Sequence, residues 1–313
     1  MIVALAGGVG GAKLAHGLSM CLPPRELAVL VNTADDFDIY GLRVCPDLDT
    51  VMYTLAGVAN PETGWGVKGD TFAALDMLRH YGQDTWFRIG DRDLATDVLR
   101  TYMLRDGRPL TEVVSAMSSS LGVGPAMLPM CDEAVATVIQ TPDGELDFQD
   151  YFVRRHHEPT VTGVRYKGVE QARPTLALLS ALEGAEAVVF CPSNPIVSIG
   201  PILAVPGMRE ALLRSSAVSI AVSPIVAGQA LRGPADRMLE SLGHEVSALG
   251  VARIYQGLVQ GLVIDTSDAE LETPIRELGM EVLVAPTVMR DDADRRTLAE
   301  VVLRFARALN HGR

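Results

Sequence analysis

The chain begins MIVALAGGVGGAK (residues 1–13), an apolar run that passes directly into glycines and a lysine. A short continuous apolar run bounded by glycine is typical of a strand buried in a parallel sheet. Glycines lack a Cβ, so their backbone can approach an anion closely and adopt positive φ. If a helix begins near residue 11, its unpaired N–H groups face the same anion. The pattern predicts a phosphate- or nucleotide-binding turn at Gly8, Gly10, Gly11 and Lys13.

This turn is not one of the common nucleotide-binding motifs. Lys13 is followed by leucine, so the Gly-Lys-Ser/Thr ending of a P-loop is missing. The third glycine of the dinucleotide fingerprint is also missing, because Lys13 occupies its place. A tight turn needed only for packing remains an alternative interpretation.

Composition and charge narrow the function classes. The 313 residues are 48% hydrophobic but only 5% aromatic, which suits a Val/Leu/Ala-rich sheet flanked by helices. A formal net charge of −12 argues against a general nucleic-acid surface or an anionic membrane surface. A phosphate site in such a chain needs local Lys and Arg, or bound Mg²⁺, to supply positive charge. Four scattered cysteines and no long apolar segment lead us to expect a reduced, cytoplasmic protein.

The order of apolar runs predicts an α/β fold. Buried strands are expected at Ile2–Ala6, Leu27–Val31, Ala187–Phe190, Val218–Val222, 258–264 and 282–285, and helices at 11–18, 93–104, 111–121 and the C-terminus. Helices that alternate with buried strands predict a doubly wound, mostly parallel, Rossmann-like sheet. A Thr-Pro-Asp-Gly turn at 141–144 predicts a hairpin, and hence a smaller inserted subdomain over 111–170 within a core of 1–110 and 171–313.

Carboxylates cluster after the second predicted strand. Asp35 and Asp36 follow its carboxyl end, where ligands bind in open α/β sheets. Asp47 and Asp49 come soon after, and on an extended segment alternate side chains share one face. Carboxylate oxygens are the ligands that Mg²⁺ prefers, so this pattern predicts a magnesium site. A solvated acidic loop is the alternative.

Both tryptophans lie in similar segments. Trp65 and Trp86 are each followed within a few residues by a basic residue and Gly-Asp. An aromatic plane beside a cation suits a flat heteroaromatic ring, so we expect Arg88 to bind a ligand. The alternative is core packing plus a helix N-cap at Asp91 or Asp93, and for Asp93 we favour the cap.

Two later strands end in small polar residues and prolines. Ser193 and Asn194 follow one strand, and Ser223 follows the next. Rigid polar loops at strand ends suit a nucleotide or phosphate, although structural turns alone are an alternative.

Taken together, these motifs resemble the 2-phospho-L-lactate transferase family, which builds the deazaflavin coenzyme F-420. The resemblance rests on GGVGGAK, NTADD, PDLDT, IGDRDLAT, PSNPIVSIGPIL and SPI, spread from Gly7 to about Met289. It implies transfer of a phospho-acid from a GMP-diphosphate-linked donor to the terminal hydroxyl of the deazaflavin alcohol Fo, with release of GMP. It also implies Mg²⁺ as cofactor and a homodimer.

The resemblance assigns roles to particular residues. Asp49 and Arg88 are implied at the Fo site, with Trp65 and Asp91 beside them. Asp35 and Asp49 are implied as metal ligands and catalytic residues, whereas the roles of Asp36 and Asp47 are left open. The transferred acid is also left open among 2-phospho-L-lactate, phosphoenolpyruvate and 3-phosphoglycerate. The alternative function is a non-catalytic nucleotide-sugar-binding regulatory protein with a similar core.

Overall fold

The computed structural model describes residues 1–311. Its strands are β1 (Ile2–Ala6), β2 (Leu27–Val31), β3 (Phe37–Ile39), β4 (Leu42–Val44), β5 (Ala126–Pro129), β6 (Ala136–Thr141), β7 (Gly144–Asp147), β8 (Gly163–Lys167), β9 (Ala187–Phe190), β10 (Val218–Val222), β11 (Ile225–Val226), β12 (Gln229–Ala230), β13 (Gly261–Ile264) and β14 (Glu281–Val284).

Its α-helices are α1 (Gly8–Cys21), α2 (Pro46–Leu55), α3 (Ala73–His80), α4 (Asp91–Arg105), α5 (Leu110–Ser120), α6 (Leu176–Glu183), α7 (Ile199–Ala204), α8 (Met208–Arg214), α9 (Ala235–Ser241), α10 (Ala248–Tyr255), α11 (Glu272–Arg276) and α12 (Asp292–His311). A single π-helical turn lies at Asp150–Arg154. Within residues 1–311, no helix is both long enough and apolar enough to cross a membrane.

Seven strands form one central sheet in the order β14-β13-β10-β9-β1-β2-β5. Every neighbouring pair in it is parallel. The chain therefore builds outward from β1 to β5 on one side, then returns to β9 and builds outward on the other. This is the doubly wound, Rossmann-like order that the sequence predicts, and its switch point lies between β1 and β9.

Alternating side chains of the strands feed two apolar layers. In β1, Val3 and Leu5 face one cluster, whereas Ile2, Ala4 and Ala6 face the other. The first layer includes residues of α6, α7, α8 and α10, and the second includes residues of α1, α2, α5 and α12. Both faces of the sheet are covered, which explains why its strands are apolar throughout.

Six of the seven central strands correspond to predicted apolar runs, and β5 is the one that was missed. It has four residues, ends in Pro129 and pairs only with β2 at the sheet edge. Such a short run carries little apolar periodicity.

Because β5 belongs to the central sheet, a subdomain beginning at residue 111 starts too early. The strands that stand apart form the antiparallel sheet β7-β6-β8, within residues 136–167. The predicted hairpin turn joins β6 to β7.

Two local predictions were wrong. Helix α1 begins at Gly8 rather than residue 11, so the glycines form its first turn. Pro46 begins helix α2, whose first turn contains Asp47 and Asp49. Proline is favoured at the first position of a helix because the N–H that it lacks would have no partner there. Residues two apart on a helix point about 200° apart, so Asp47 and Asp49 face different surroundings.

Candidate active site

The candidate site lies at the switch point, where the loops after β1 and β9 meet. The Gly7 N–H donates to Oγ of Ser193 at 3.1 Å, and that hydroxyl donates to the Gly7 carbonyl at 2.8 Å. Ser193 is buried, and these two bonds use its hydroxyl to join the loops. Its predicted contact with a nucleotide stays a prediction, but its structural role is clear.

Close packing accounts for two of the glycines. A Cβ on Gly10 would lie 2.2 Å from the Pro192 carbonyl oxygen, and one on Gly11 would lie 2.4 Å from Oγ of Ser193. These two glycines let α1 pack against the loop after β9, as expected from the alternative interpretation of this turn as a packing feature. Gly8 differs, because its φ is +61°. Gly7 offers no side chain to cap α1, and the Gly8 backbone is hydrogen-bonded to Asp47, which leaves the N–H groups after Gly8 to face an anion.

Positive charge gathers beside this turn. Nζ of Lys13 donates to the Met289 carbonyl at 2.7 Å. Burial lowers the pKa of Lys13, and the positive charges of Arg232 and Arg295 lower it further. Arg232 and Arg295 therefore both lie close enough to repel Lys13, while the negative charge of Asp294 acts in the opposite direction. Positive side chains are thus present where the sequence predicts phosphate.

Asn32, at the end of β2, organises the carboxylates. Its Nδ2 donates to Oδ2 of Asp35 at 3.0 Å and to Oδ2 of Asp47 at 2.9 Å. Its Oδ1 accepts from the Ala34 N–H at 3.0 Å. Asn32 was not predicted as a site residue, although it begins the NTADD motif and comes directly after a buried strand. Asp47, rather than Asp49, is the carboxylate that shares this amide with Asp35.

These carboxylates are buried and incompletely paired. Oδ1 of Asp35 and both carboxylate oxygens of Asp36 lack a hydrogen-bond partner, although Oδ2 of Asp36 forms an ion pair with Arg43 at 3.8 Å. Burial raises the pKa of Asp35, as does the negative charge of Asp47. Burial also raises the pKa of Asp47 to about 6 and that of Asp36 to about 7. Buried oxygens of this kind need a proton or a cation.

The donor set at Asp35 and Asp47 fits a hard divalent cation such as Mg²⁺, which binds carboxylate oxygens and keeps several waters. No group of three or more His, Cys, Asp or Glu side chains that could hold a metal occurs within residues 1–311. The remaining ligands would then be water or substrate oxygens.

Asp49 has a different partner. The guanidinium of Arg100 contacts Oδ1 of Asp49, and its Nη1 donates to Oδ1 of Asp97 at 2.7 Å. Arg100 is only 2% exposed. Burial raises the pKa of Asp49, and the charge of Arg100 opposes that rise. Arg100 was also missed, because its contact with Asp49 joins residues 51 apart in the chain.

The segment around Trp65 precedes α3, and the segment around Trp86 precedes α4. Arg88 is exposed, with its guanidinium carbon 4.4 Å from the centre of the Phe72 ring. Trp65 is 41% exposed. Trp86 instead packs with Phe37 and Phe87. Arg88 and Trp65 thus remain accessible to a ligand.

Two aspartates cap each other's helices. Asp91, the first residue of α4, accepts from the N–H groups of Ala73 and Ala74 at the start of α3. Asp70, which precedes α3, accepts from the N–H groups of Arg92 and Asp93 in α4. The cap predicted at Asp93 was therefore wrong.

Asp93 instead accepts from the Tyr53 hydroxyl at 2.8 Å. Asp91 was predicted at the Fo site. Its pKa is lowered, above all by the hydrogen bond from Thr71, and it is engaged in capping α3.

The remaining predicted residues stabilise turns. Oδ1 of Asn194 accepts from the Ile196 N–H at 2.8 Å. Oγ of Ser223 accepts from the Ile225 N–H and donates to the Ile225 carbonyl. Both loops follow strands next to the switch point, but these bonds use the Ser223 hydroxyl within its own turn. A ligand role for either residue stays a prediction.

The sheet order, with its switch point between β1 and β9, defines a doubly wound α/β protein. A family model described as 2-phospho-L-lactate transferase CofD matches residues 2–298. A phosphoenolpyruvate transferase of Streptomyces griseus is 42% identical over 311 residues, covering 97% of this chain and 98% of that protein. A 2-phospho-L-lactate transferase of Methanothermobacter thermautotrophicus is 42% identical, covering 97% of each chain. The chain belongs to the CofD family.

A solved structure is similar in fold. The crystal structure of a UPF0052 family member from Bacillus halodurans has a TM-score of 0.62 and 16% identity, covering 96% of this chain and 98% of that one. At that identity the likeness supports the fold alone. The relatives named above are transferases, which supports an activity of the phosphotransferase kind for this chain.

Proposed function

We propose that this protein transfers a phospho-acid from a GMP-diphosphate-linked donor to the terminal hydroxyl of Fo, with release of GMP, in the biosynthesis of coenzyme F-420. Family membership gives the class of reaction. The single observation that carries the proposal is the pairing of unsatisfied buried carboxylates with a cation-lined helix N-terminus at one switch point. Such a crevice can hold a metal and a diphosphate side by side.

Asp35 and Asp47 would hold Mg²⁺, with Asp49 as a further ligand if Arg100 releases it. When bound, Mg²⁺ neutralises charge on a diphosphate and stabilises the leaving phosphate. The chain's own contribution is placement, since phosphoryl-type transfer depends mainly on alignment and charge neutralisation. The first turn of α1 and Lys13 would bind the donor phosphates.

The acceptor would lie on the side of Trp65 and Arg88. A deazaflavin is a flat heteroaromatic ring, and the exposed Trp65 indole and the exposed Arg88 guanidinium, which lies over the Phe72 ring, are side chains suited to bind it. Asp49 would orient the attacking hydroxyl and accept its proton. The Arg100 contact favours the ionised form of Asp49, which is the form that can accept.

The proposal includes three candidates for the phospho-acid that is transferred. Relatives named phosphoenolpyruvate transferase are 39–43% identical, and those named 2-phospho-L-lactate transferase are 38–42% identical. These ranges overlap, so similarity does not choose between the two donors. We keep both, together with the phosphoglyceryl donor. A homodimer in the cytoplasm remains part of the proposal.

The test offers each guanylylated acid with Fo and Mg²⁺ to the purified protein and identifies the products by mass spectrometry. We expect GMP and one phosphodiester of Fo, and loss of both when the metal is chelated. Asp49→Asn, which keeps an acceptor for Arg100, should lower turnover by orders of magnitude in a protein that melts as the parent does, whereas exposed Asp106→Asn should not. Deazaflavin fluorescence measures Fo binding independently. A protein that neither binds Fo nor forms product with any of the three donors is not this transferase.

A further inference from the structure

Arg232 joins two loops at the edge of the candidate site. It lies shortly after β12, is exposed, and donates from Nη1 to the Thr63 carbonyl at 2.7 Å. Thr63 lies in the loop between α2 and α3 that also carries Trp65. The contact spans 169 positions in the chain, so the sequence alone gives no sign of it.

Gly64 places the guanidinium of Arg232 beside helix α1. A Cβ on Gly64 would lie 2.6 Å from Nη1 of Arg232 and 3.2 Å from Cγ1 of Val9. Arg232, Gly64 and Val9 in the first turn of α1 are therefore packed closely together. Gly64 also has φ +78°, which disfavours any side chain there.

Lys13 lies four residues after Val9, on the same side of α1. After burial, the positive charge of Arg232 is the largest influence that lowers the pKa of Lys13. Two like charges held together repel, and an anion between them relieves that repulsion. A guanidinium has five N–H donors in a planar fork, and one of them is used here. Within residues 1–311 the other donors of Arg232 make no hydrogen bond to the protein and can therefore bind phosphate oxygens.

Thr63 connects this cation to Trp65. The Thr63 hydroxyl donates to the Trp65 carbonyl at 2.6 Å, while the Thr63 carbonyl accepts from Arg232. A shift of the guanidinium toward an anion therefore acts on the loop that holds the indole. The exposed Trp65 side chain is a natural reporter of such a shift.

We propose that Arg232 is a second cation for the diphosphate of the donor, and that its bond to Thr63 couples occupation of this anion site to the loop carrying Trp65. The inference rests on the proposed function, because it assumes that Lys13 and α1 bind the donor phosphates. It adds a binding residue on a different loop and links the donor side of the crevice to the acceptor side.

The test uses tryptophan fluorescence, because the chain has only two tryptophans. Trp86→Phe leaves Trp65 as the single reporter and keeps an aromatic ring against Phe37 and Phe87. Inorganic pyrophosphate is the probe, titrated in buffer containing Mg²⁺, with binding measured in parallel by calorimetry. We expect a saturable change in Trp65 emission.

In the Trp86→Phe background, Arg232→Gln should weaken pyrophosphate binding by roughly 10-fold to 100-fold and abolish the emission change, since one charged hydrogen-bonding partner is lost. Arg232→Lys keeps the charge and should weaken binding less. Arg237→Gln is the matched control, because Arg237 lies nearby on α9 but contacts His157. It should bind as the background does. Melting temperatures establish that each variant is folded.

Equal affinity and equal emission change with and without Arg232 would overturn the inference. Weakened binding with an unchanged Trp65 response would overturn the coupling between the two sides. If the Trp86→Phe protein fails to bind pyrophosphate by calorimetry, the phosphate site of the proposed function is wrong, and this inference falls with it. If Arg232→Gln fails to fold, the Arg232→Lys variant is measured instead. In that variant, an unchanged affinity for pyrophosphate together with loss of the Trp65 emission change still supports the link through Thr63.

Discussion

Arg100 of α4 contacts the carboxylate of Asp49 in α2, and both side chains are buried. On its other side the same guanidinium binds Asp97. Asp36 and Asp93 lie near enough for Arg100 to lower their pKa values as well. A single buried cation thus serves a group of carboxylates that includes the candidate catalytic residue.

Removal of that cation should be severely destabilising. Arg100→Gln leaves buried carboxylates without their partner, and breaking a buried ion pair on one side costs about 3–5 kcal/mol. Urea unfolding of the variant and the parent measures the difference. Arg105→Gln, on the same helix but exposed and bound only to the Gly41 carbonyl, should change stability by less than about 1 kcal/mol. Equal losses in the two variants would show that burial of Arg100 is not what matters.

The pH dependence of stability should depend on Asp97. Burial raises the pKa of Asp97 to about 8, and the negative charge of Asp49 adds to the rise. Between its ordinary value of 3.8 and about 8, the folded protein holds a proton that the unfolded chain releases. Stability therefore decreases as pH rises through this window, by up to about 1.4 kcal/mol per pH unit for one proton.

Asp97→Asn keeps an acceptor for Arg100 but removes the titrating group. We expect its unfolding free energy to fall less steeply than that of the parent between about pH 5 and pH 8, measured with urea in the presence of a chelator. Asp106→Asn, which is exposed, should follow the parent. Parallel curves for Asp97→Asn and the parent would contradict a protonated Asp97.

The paired helix caps should each contribute to stability. Asp70→Ala and Asp91→Ala each remove a carboxylate that accepts two backbone N–H bonds from the start of the other helix, and loss of a cap typically costs about 1 kcal/mol. Gly90→Ala should have a similar effect, because its Cβ would lie 2.1 Å from Oδ2 of Asp70. Thermal melting compares these three variants with Asp76→Ala, whose carboxylate is paired with Arg79 at the surface. Three variants as stable as Asp76→Ala would argue against the caps.

Gly10→Ala tests the packing of α1 against the loop after β9. Its Cβ would lie 2.2 Å from a backbone carbonyl, which cannot move as a flexible side chain can. Forced overpacking of this kind costs about 1–3 kcal/mol. Gly184→Ala is the control, since its Cβ would meet nothing closer than 3.6 Å. A Gly10→Ala protein with the parent's melting temperature would show that the loops separate readily.

Much of the fold could be predicted from the sequence, because buried parallel strands are continuous apolar runs. The exceptions have physical causes. β5 is too short to show periodicity, and α2 was mistaken for an extended segment because the carboxylates of its first turn mask the apolar face that follows. Asp47 is buried, although an aspartate in a first turn is usually exposed.

Less of the candidate site could be predicted. Polar residues at strand ends were found, since topology brings the carboxyl ends of parallel strands together. Their partners were not, because Asn32, Arg100 and Arg232 act through contacts made only in three dimensions. Ser193 and Ser223 were predicted to bind a nucleotide or phosphate from their positions after strands. Their hydroxyls are instead hydrogen-bonded to backbone groups of the protein, which the sequence does not reveal.

The exchanged caps of α3 and α4 make the two helices depend on each other. Neither helix carries the carboxylate that begins it, so a peptide containing only one of them lacks its own start signal. Transplanting either helix into a related protein would break both caps, whereas residues 70–105 moved together would keep the pair. Stable recombinants between relatives should therefore take α3 and α4 from the same parent.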